Sequence, residues 1–463
     1  MKRKIIFLCL IFSISVLTAQ EKQVFSLEDL SQAMNQSNPD LLKLQEEYRQ
    51  SLLDVKDAKA GLGPSIDLQI TGTYLSKVPL DAIYLNVDDI INSIQWPVGT
   101  SPVSTGQRIK LYDGMENTYY TFGLTLQQPV WTWGKLTNAI KLYKQVADIK
   151  LTQIQNQQNQ MNTELETRLI SLSYLNKIME IIDEEKIYAA RLVEVSENAE
   201  KSGMLLHQDV VDAKIQAKEL EIAQNDVVEQ INNQLIELRR ITGIDELTAE
   251  NIEYEINEND FTAILKQNKD ELLKNALDEN QLSLKMLSQL KEVNEISVEI
   301  AKGYENWKPD IAVQVTAGYG GSRFPLIEPN WYRKDDWSAN ISLGIKTTIW
   351  DGGKKLNDIA RKKSATAVSE LQISDARSTI SQTFNTQWNT AEVCTMKIEY
   401  QDLKIESADS NIKQKQTVYE TGYGSETDVL SAKMDRCNEM IEKEKQGLSR
   451  AAACMTIKFL VRK

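Results

Sequence analysis

Few side chains in this sequence could carry out chemistry, and the single histidine sets the first limit. His207 is the only imidazole in the chain, so one copy can supply neither a histidine-based catalytic triad nor a metal site with several histidine ligands. The run Gly352-Gly353-Lys354-Lys355 lacks the spacing of a phosphate-binding loop. We therefore expect a protein that is not an enzyme and that uses no cofactor and no metal ion. His207 itself is expected to be a solvated residue in a helix tip.

Two aspartates stand at matching distances from glycines. Asp209 lies six residues after Gly203, and Asp428 lies six residues after Gly422. Because each glycine interrupts a helix-forming stretch, each aspartate is expected in the first turn of a returning helix. A carboxylate there caps the helix and interacts favourably with its dipole. Such a capping role explains both residues without any further function.

Residues 1–19 have the pattern of a secretory signal peptide. Cationic residues at positions 2–4 precede an apolar run over 5–17 and the small residue Ala19, which is the order of regions in such a signal. No later stretch approaches the ~18 consecutive apolar residues that a transmembrane helix needs. If the exported chain enters a membrane, it must therefore do so as strands.

Charge and cysteine content exclude two further classes of protein. The whole chain has a net charge of −13, and residues 1–19 hold three cationic side chains and no anionic one, so the exported part carries about −16. An acidic chain of this kind is a poor partner for nucleic acid. Three cysteines follow the signal peptide, namely Cys394, Cys437 and Cys454, and this odd number implies no disulfide framework.

Four segments alternate apolar and polar residues, as strands with one apolar face do. The segment from Pro64 to Tyr74 aligns without a gap with Pro309 to Tyr319, at an offset of 245 residues. A second pair aligns at an offset of 219. We predict strands at about 64–75, 118–131, 309–320 and 337–350. The change of offset makes the first strand-to-strand loop 26 residues longer than the second, and we expect an irregular surface excursion there.

Glutamine, glutamate, lysine, leucine, isoleucine and alanine dominate the rest of the chain, with almost no proline, and this composition predicts helices. Two long helix hairpins are expected, over 134–243 and 353–462. A run of ~65 residues would be about 100 Å long, far beyond an ordinary globular helix. Shorter helices are expected over 27–60 and 264–304.

The order of these elements predicts an α+β chain built from two internal structural repeats. The first repeat spans 20–250 and the second 251–463. Each contains a helical segment, two strands and a long helix hairpin. The offset of 219 continues into the hairpins, where it aligns Asp209–Lys214 with Asp428–Lys433.

Four strands are too few for one chain to cross a membrane alone. Strands of ~10 residues have the length that spans a bilayer when tilted, but four cannot close a barrel. An open strand edge is not tolerated in lipid. Several copies must therefore share one barrel, and because the smallest bacterial barrels use ~8 strands, either two or three copies would close it. Polar residues on the inner face of the strands predict a water-filled lumen.

Several motifs resemble the TolC-type outer-membrane efflux family, the outer membrane factors. They are the turns Pro129–Lys135 and Ile349–Lys354, the two Gly-x5-Asp-Val tips, and Leu238–Gly243. The resemblance covers nearly the whole exported chain. It implies a homotrimer whose twelve-stranded transmembrane β-barrel, with four strands per chain, lies in the outer membrane. This barrel would continue into a long α-helical barrel across the periplasm, towards a periplasmic adaptor (membrane fusion) protein and an inner-membrane pump of RND or ABC type.

The same resemblance assigns a periplasmic gate to the helix tips. In the family, the aspartate that matches Asp428 lines a narrow entrance, and the one that matches Asp209 bonds a tyrosine that matches Tyr419 and holds the entrance closed. The best-known member has a second aspartate where this chain has Ser431, and an arginine where it has Gly424. We therefore expect a single ring of Asp428 carboxylates that favours cations. We also expect the entrance of this chain to be held closed less firmly.

The helix tips are also where the family docks its adaptor. Gly203, Gly422 and Gly424 would permit close backbone approach there, although simple turn formation explains them equally well. The leading function is thus a passive exit duct of a tripartite efflux or type I secretion system, with a drug, a metal, another small molecule or a protein as cargo. The alternative is a structural or adhesive periplasmic helical protein without a channel, which accounts for the helices but not for four amphipathic strands at fixed offsets.

Overall fold

The computed structural model describes residues 24–100, 102–322, 332 and 336–462. The signal peptide expected at residues 1–19 lies outside this part of the chain. A search of the described helices finds none with both the length and the apolar character to cross a membrane.

The described residues form a mostly helical chain with a small sheet. In chain order the elements are α1 (Leu27–Ser37), α2 (Pro39–Ala60), β1 (Ser65–Tyr74), β2 (Ile83–Asn86), α3 (Val87–Ser93), β3 (Arg108–Tyr112), β4 (Thr118–Trp131), α4 (Lys135–Lys201), α5 (His207–Thr242), α6 (Glu258–Leu265), α7 (Lys269–Ala276), α8 (Leu282–Gly303), β5 (Asp310–Gly321), β6 (Trp337–Lys346), α9 (Lys354–Glu420) and α10 (Glu426–Val461). Helices α4 and α9 have 67 residues each, and α5 and α10 have 36 each. A helix of 67 residues is about 100 Å long.

The shorter helical segments are broken more often than the sequence predicts. Between α1 and α2, the Asn38 side chain accepts hydrogen bonds from the backbone of Asp40 and Leu41, and Pro39 takes the first position of α2, where its missing N–H costs nothing. Segment 264–304, expected as one stretch, includes the end of α6, all of α7 and α8. Asn268 caps α7, and Gln281 accepts a hydrogen bond from the Leu284 backbone at the start of α8.

Strands β1, β4, β5 and β6 form an antiparallel sheet in the order β1-β4-β5-β6. Their alternating apolar residues share one face. This face is exposed on the outer strands, with Ile70 65% exposed and Ile341 81% exposed, whereas Tyr319 of β5 is buried. The outer edges of β1 and β6 have no partner strand among the described residues. The single chain therefore holds an incomplete sheet with a bare apolar face.

The loop between β1 and β4 is more ordered than the irregular excursion that the sequence predicts. It contains α3 and a two-stranded antiparallel sheet of β2 and β3. The Asp88 carboxylate accepts hydrogen bonds from the Ser104 hydroxyl and from the backbone N–H groups of Thr105 and Gly106, and these bonds lower the pKa of Asp88 well below its usual value. Strands of four and five residues are too short to show a clear alternation in the sequence.

A dense joint connects the end of β4 and the start of α4 to the start of β5. The indole N–H of Trp133 donates to the Pro309 carbonyl at 2.8 Å, and the Trp133 ring lies edge-on to Trp307 with centroids 5.3 Å apart. The ammonium of Lys135 lies 2.6 Å from an Asp310 carboxylate oxygen, although the Lys135 side chain is only 7% exposed. We call these contacts the tryptophan joint.

The chain divides into two compact units. The sheet unit comprises Ser51–Val146 and Glu292–Ala367, and the helical unit comprises Met1–Gln50, Ala147–Lys291 and Val368–Lys463. Apolar residues of α4, α5 and α10 form a core cluster within the helical unit, comprising Leu175, Ile178, Ile181, Ile182, Val227, Cys437 and Ile441. This cluster fixes α4 against its two neighbours.

Candidate gate at the helix tips

Both helix tips turn by the same hydrogen-bond pattern. At the first tip, the N–H of Gly203 donates to the Glu200 carbonyl and the N–H of Met204 donates to the Ala199 carbonyl. At the second tip, Gly422 donates to Tyr419 and Tyr423 donates to Val418. Each pair of bonds is a Schellman motif, which ends a helix with a left-handed residue. Gly203 has φ +72° and Gly422 has φ +81°, so the backbone of the turn favours glycine at these two positions.

Gly424 is constrained by space, unlike the other two glycines. A Cβ atom placed on Gly424 would lie 3.0 Å from the Tyr419 backbone nitrogen and 3.1 Å from Val418 Cγ1. Nothing lies within 4 Å of a Cβ placed on Gly203 or Gly422. A larger residue at 424 would therefore require the end of α9 to shift slightly.

The Asp209 carboxylate forms a hydrogen bond at the start of its own helix. One carboxylate oxygen accepts a hydrogen bond from the Leu206 backbone N–H at 2.9 Å, so the residue caps the first turn of α5. No hydrogen bond joins Asp209 to Tyr419 within the described part of the chain. The Tyr419 side chain is 40% exposed. The structure thus places Asp209 in the capping role that its position predicts.

Asp428 occupies the equivalent third position of α10, but a different residue caps that helix. The Ser425 hydroxyl accepts the hydrogen bond from the Thr427 backbone N–H. The Asp428 side chain is 54% exposed, and its recorded ion pair is with Lys415, 4.0 Å away. This carboxylate therefore remains open to solvent at the second tip.

An ion pair that the sequence does not reveal joins the two hairpins near their tips. The guanidinium of Arg191, on α4, donates to both carboxylate oxygens of Glu426, on α10, at 2.8 and 3.2 Å. Arg191 also contacts Glu194, and the hydrogen bonds to both carboxylates raise the pKa of Arg191. The offset of 219 places Ser410 at the position that corresponds to Arg191. Repeat-based reasoning could not have found this pair, because only one half of the chain carries the arginine.

Further ion pairs stay within the second hairpin. Lys404 of α9 contacts Glu439 of α10 at 2.8 Å, and Arg436 contacts Asp409 at 2.6 Å. These pairs hold α9 and α10 together, whereas the Arg191–Glu426 pair holds one hairpin to the other. His207 forms a contact of 2.8 Å with Glu200 at the first tip, and its side chain is 80% exposed.

One carboxyl group lies inside the helical packing. Glu185 of α4 is 2% exposed, and its Oε2 has no hydrogen-bond partner among the described residues. Burial, and then the negative charge of Asp435 on α10, raise the pKa of Glu185 to about 7. Nothing in the sequence marks Glu185 as different from its neighbour Glu184, because burial of one charged residue on a long helix depends on how the helices pack.

The sequence matches one known family over almost half of its length. The family model described as "Outer membrane efflux protein" matches residues 30–244, a stretch that includes β1, β4 and the first helix hairpin. A search of curated proteins finds no match.

Solved structures share the fold over most of the chain. The outer membrane protein VceC of Vibrio cholerae is 16% identical, with a TM-score of 0.71 and coverage of 94% of both chains. The CmeC outer membrane channel of Campylobacter jejuni is 12% identical, with a TM-score of 0.73, over 94% of this chain and 85% of that one. The open-state MtrE outer membrane channel of Neisseria gonorrhoeae is 10% identical, with a TM-score of 0.67, over 94% and 88%. Similarities at these identities establish the fold.

Proposed function

We propose that this TolC-type outer-membrane efflux protein, an exit duct of efflux systems in the outer membrane that extends into the periplasm, works as a homotrimer with a gated periplasmic entrance. The family is one of channels and not of enzymes. In our proposal the chain performs no reaction and moves its cargo passively. An inner-membrane pump of RND or ABC type supplies the energy, and a periplasmic adaptor connects that pump to the helix tips.

The incomplete sheet is the observation that best supports a barrel shared between several copies of the chain. Its apolar face is bare, and the outer edges of β1 and β6 are unpaired among the described residues. Lipid requires every backbone N–H and C=O group to be bonded within the protein. Copies that contribute four strands each meet this requirement by joining edge to edge. Three copies make the twelve-stranded barrel that the resemblance implies, which continues into an α-helical barrel.

The proposed entrance is lined by Asp428, with Asp209 and Tyr419 beside it. Asp428 leaves the capping of α10 to Ser425 and remains half exposed, so its charge is available to the lumen. Three such carboxylates around one axis would concentrate cations at the entrance. Asp209 keeps the α5 turn in place through its bond to Leu206.

The proposed lock of this entrance is the Arg191–Glu426 pair. It has bidentate geometry, which is the most specific form of an arginine–carboxylate contact. Because the pair joins α4 to α10, outward movement of the second hairpin must break it. A side chain at Gly424 would have to displace the end of α9 slightly, and in our proposal Arg191 supplies the guanidinium from the other hairpin.

The two tips, with Gly203, Gly422 and Gly424, form the proposed docking surface for the adaptor. The side chains that follow the two left-handed glycines are strongly exposed, with Met204 at 78% and Tyr423 at 90%. Exposed apolar groups at a turn provide contact area for a partner protein.

Planar-bilayer recordings of the purified protein test the proposal. We expect discrete channels with cation preference, and Asp428→Asn should reduce that preference without abolishing conductance. Asp226→Asn, which removes one exposed charge from α5 far from the tip, should leave selectivity unchanged. A protein that forms no channels, or an Asp428→Asn variant with unaltered selectivity, would contradict the proposed entrance.

A further inference from the structure

The two β-hairpins of the sheet have the same register. Ile66 of β1 lies opposite Leu126 of β4, and Ile311 of β5 lies opposite Ile345 of β6. The sequence offsets of 245 for the first strand and 219 for the second convert the first pair into the second. The offsets thus relate strand pairing as well as residue types, so they can be used to transfer a pairing from one half of the chain to the other.

The pairing of β4 with β5 is the contact between the two halves within the sheet. Leu126 lies opposite Val315, and Thr125 lies opposite Thr316. This pairing extends past a bulge to Trp131, which lies opposite Ile311. Strand β4 is consequently longer at this end than β6, which stops at Lys346.

The residues of the second half that correspond to the end of β4 are uncovered. An offset of 219 places Thr347–Trp350 at the position of Gln128–Trp131. Ile349 is 87% exposed and Trp350 is 82% exposed. Residues Gln128–Trp131 are strand because β5 pairs with them, whereas the described chain offers no strand beside Thr347–Trp350.

We infer that β1 of a second copy pairs with β6 in the register that places Ile345 opposite Ile70, and that β6 then lengthens to Trp350. The inference rests on the proposed function and names the surface through which its copies meet. Transfer of the β4–β5 register by the two offsets also places Gly344 opposite Thr71 and Ile341 opposite Tyr74 of the second copy. We call this contact the copy seam.

Side-chain chemistry is consistent with this register. Apolar residues of β6 meet apolar residues of β1 on the bare face, and Gly344 meets Thr71 on the polar face. A slip of one residue would turn every apolar side chain of one strand to the polar face. The pairing also satisfies the backbone groups of both open edges, as lipid requires.

The copy seam lacks the contacts of the tryptophan joint. At the corresponding positions, Gly352 stands in place of Trp133 and Ser65 stands in place of Asp310. The ion pair of Lys135 therefore has no counterpart between Lys354 and Ser65. Backbone pairing and apolar contacts must hold the seam without the indole hydrogen bond and the ion pair of the tryptophan joint.

Paired cysteines test the register in the full-length protein in membranes. Gly344→Cys with Thr71→Cys places both thiols on the polar face, and a Cβ on Gly344 meets only an ordinary contact of 3.8 Å, with the Ala312 carbonyl oxygen. Directly opposite Cβ atoms lie ~4.5–5.5 Å apart, whereas diagonal neighbours lie ~7–8 Å apart, beyond the reach of a disulfide. We expect oxidant to convert this variant into covalent oligomers on non-reducing gels.

Two controls shift the register by two residues: Gly344→Cys with Thr73→Cys, and Ser342→Cys with Thr71→Cys. Preferential cross-linking of either control would overturn the register, and absence of cross-links in all three would overturn the seam. The native thiols of Cys394, Cys437 and Cys454 are buried. The variants with a single introduced cysteine measure any cross-linking that involves these native thiols. Bilayer conductance of the reduced variants distinguishes failure of the seam from failure of the channel function. A protein that forms channels but cross-links in a different register refutes the seam and leaves the channel function intact.

Discussion

The Arg191 guanidinium donates two hydrogen bonds to the Glu426 carboxylate and so joins α4 to the first turn of α10. Arg191→Gln should therefore weaken the closed entrance and raise the open fraction in single-channel recordings, several-fold at low salt and less at high salt, because salt screens exposed ion pairs.

Two variants check that this effect comes from the contact between hairpins. Lys404→Gln removes an ion pair of similar geometry that lies within the second hairpin, and it should leave the open fraction unchanged. The exchange Arg191→Glu with Glu426→Arg should restore closure at least in part. Equal effects of Arg191→Gln and Lys404→Gln would argue against a lock at this site.

The left-handed turn at Gly422 should tolerate asparagine and reject valine. Its φ of +81° is strained for a residue with a branched Cβ, although the space around it is empty, and the left-handed conformation costs ~1–2 kcal/mol for most residues but less for asparagine. Hydrogen exchange of the tip amides should accelerate in Gly422→Val and change little in Gly422→Asn. Rapid exchange in both variants would mean that packing, and not backbone conformation, selects glycine.

Gly447 of α10 should be necessary for the packing of Tyr174. A Cβ on Gly447 would lie 2.7 Å from Tyr174 Cε1, and Tyr174 is 1% exposed and bonded to Glu258. Overpacking costs ~1–3 kcal/mol, which exceeds the gain of ~1 kcal/mol that alanine brings to a helix. We expect Gly447→Ala to lower the Tm of the detergent-solubilised protein, whereas Ser449→Ala, on the exposed face of α10, should not lower it. An unchanged or higher Tm for Gly447→Ala would contradict the tight contact.

The buried Glu185 carboxyl should make helix packing depend on pH. The pKa of Glu185 is about 7 in the folded protein against its usual value of 4.5, so near neutral pH the folded state keeps a proton that the unfolded state has released. Stability from this group is therefore complete below about pH 4.5 and falls as the pH rises towards 7, by roughly 3 kcal/mol in total. Asp435 and Cys437 on α10 interact electrostatically with Glu185, and Cys437 in turn interacts with Glu184, Tyr188 and Arg436.

Glu185→Gln isolates this contribution from all other titrations. Its stability relative to the parent protein should be near zero at pH 4.5 and should rise until about pH 7.5, as measured by denaturant unfolding. Glu184→Gln, which removes the neighbouring carboxylate charge but keeps an oxygen acceptor for the Tyr188 hydroxyl, should show no such rise. A flat difference for Glu185→Gln would mean that the carboxyl is ionised and hydrated in the protein.

The sequence predicts those features of the fold that are encoded locally. Alternation identified the strands around Ile66 and Ile311, and the structure pairs β1 with β4 and β5 with β6 in the same register. Helix interruptions were harder to predict. The break at Asn38 depends on a side-chain cap followed by Pro39, a signal that is clear only once the backbone position is known.

The gate illustrates where sequence reasoning ends. Spacing from the glycines placed Asp209 and Asp428 in equivalent helix turns and predicted a capping role for both, but it could not tell that Ser425 caps α10 in place of Asp428. The contact of Arg191 with Glu426 joins residues far apart in the chain, and the burial of Glu185 depends on three packed helices. Neither follows from local pattern or from the internal offsets.

The tryptophan joint has a consequence for the order of biogenesis. Trp133, Lys135, Trp307 and Asp310 all belong to one chain, so a newly exported copy can complete this joint without meeting another. The rate of that step is first order in protein concentration, so its half-time does not change on dilution. Pairing of β6 with another copy's β1 is a bimolecular event and must slow as the protein is diluted, and a chain waiting at low abundance would be a folded intermediate with two exposed edges.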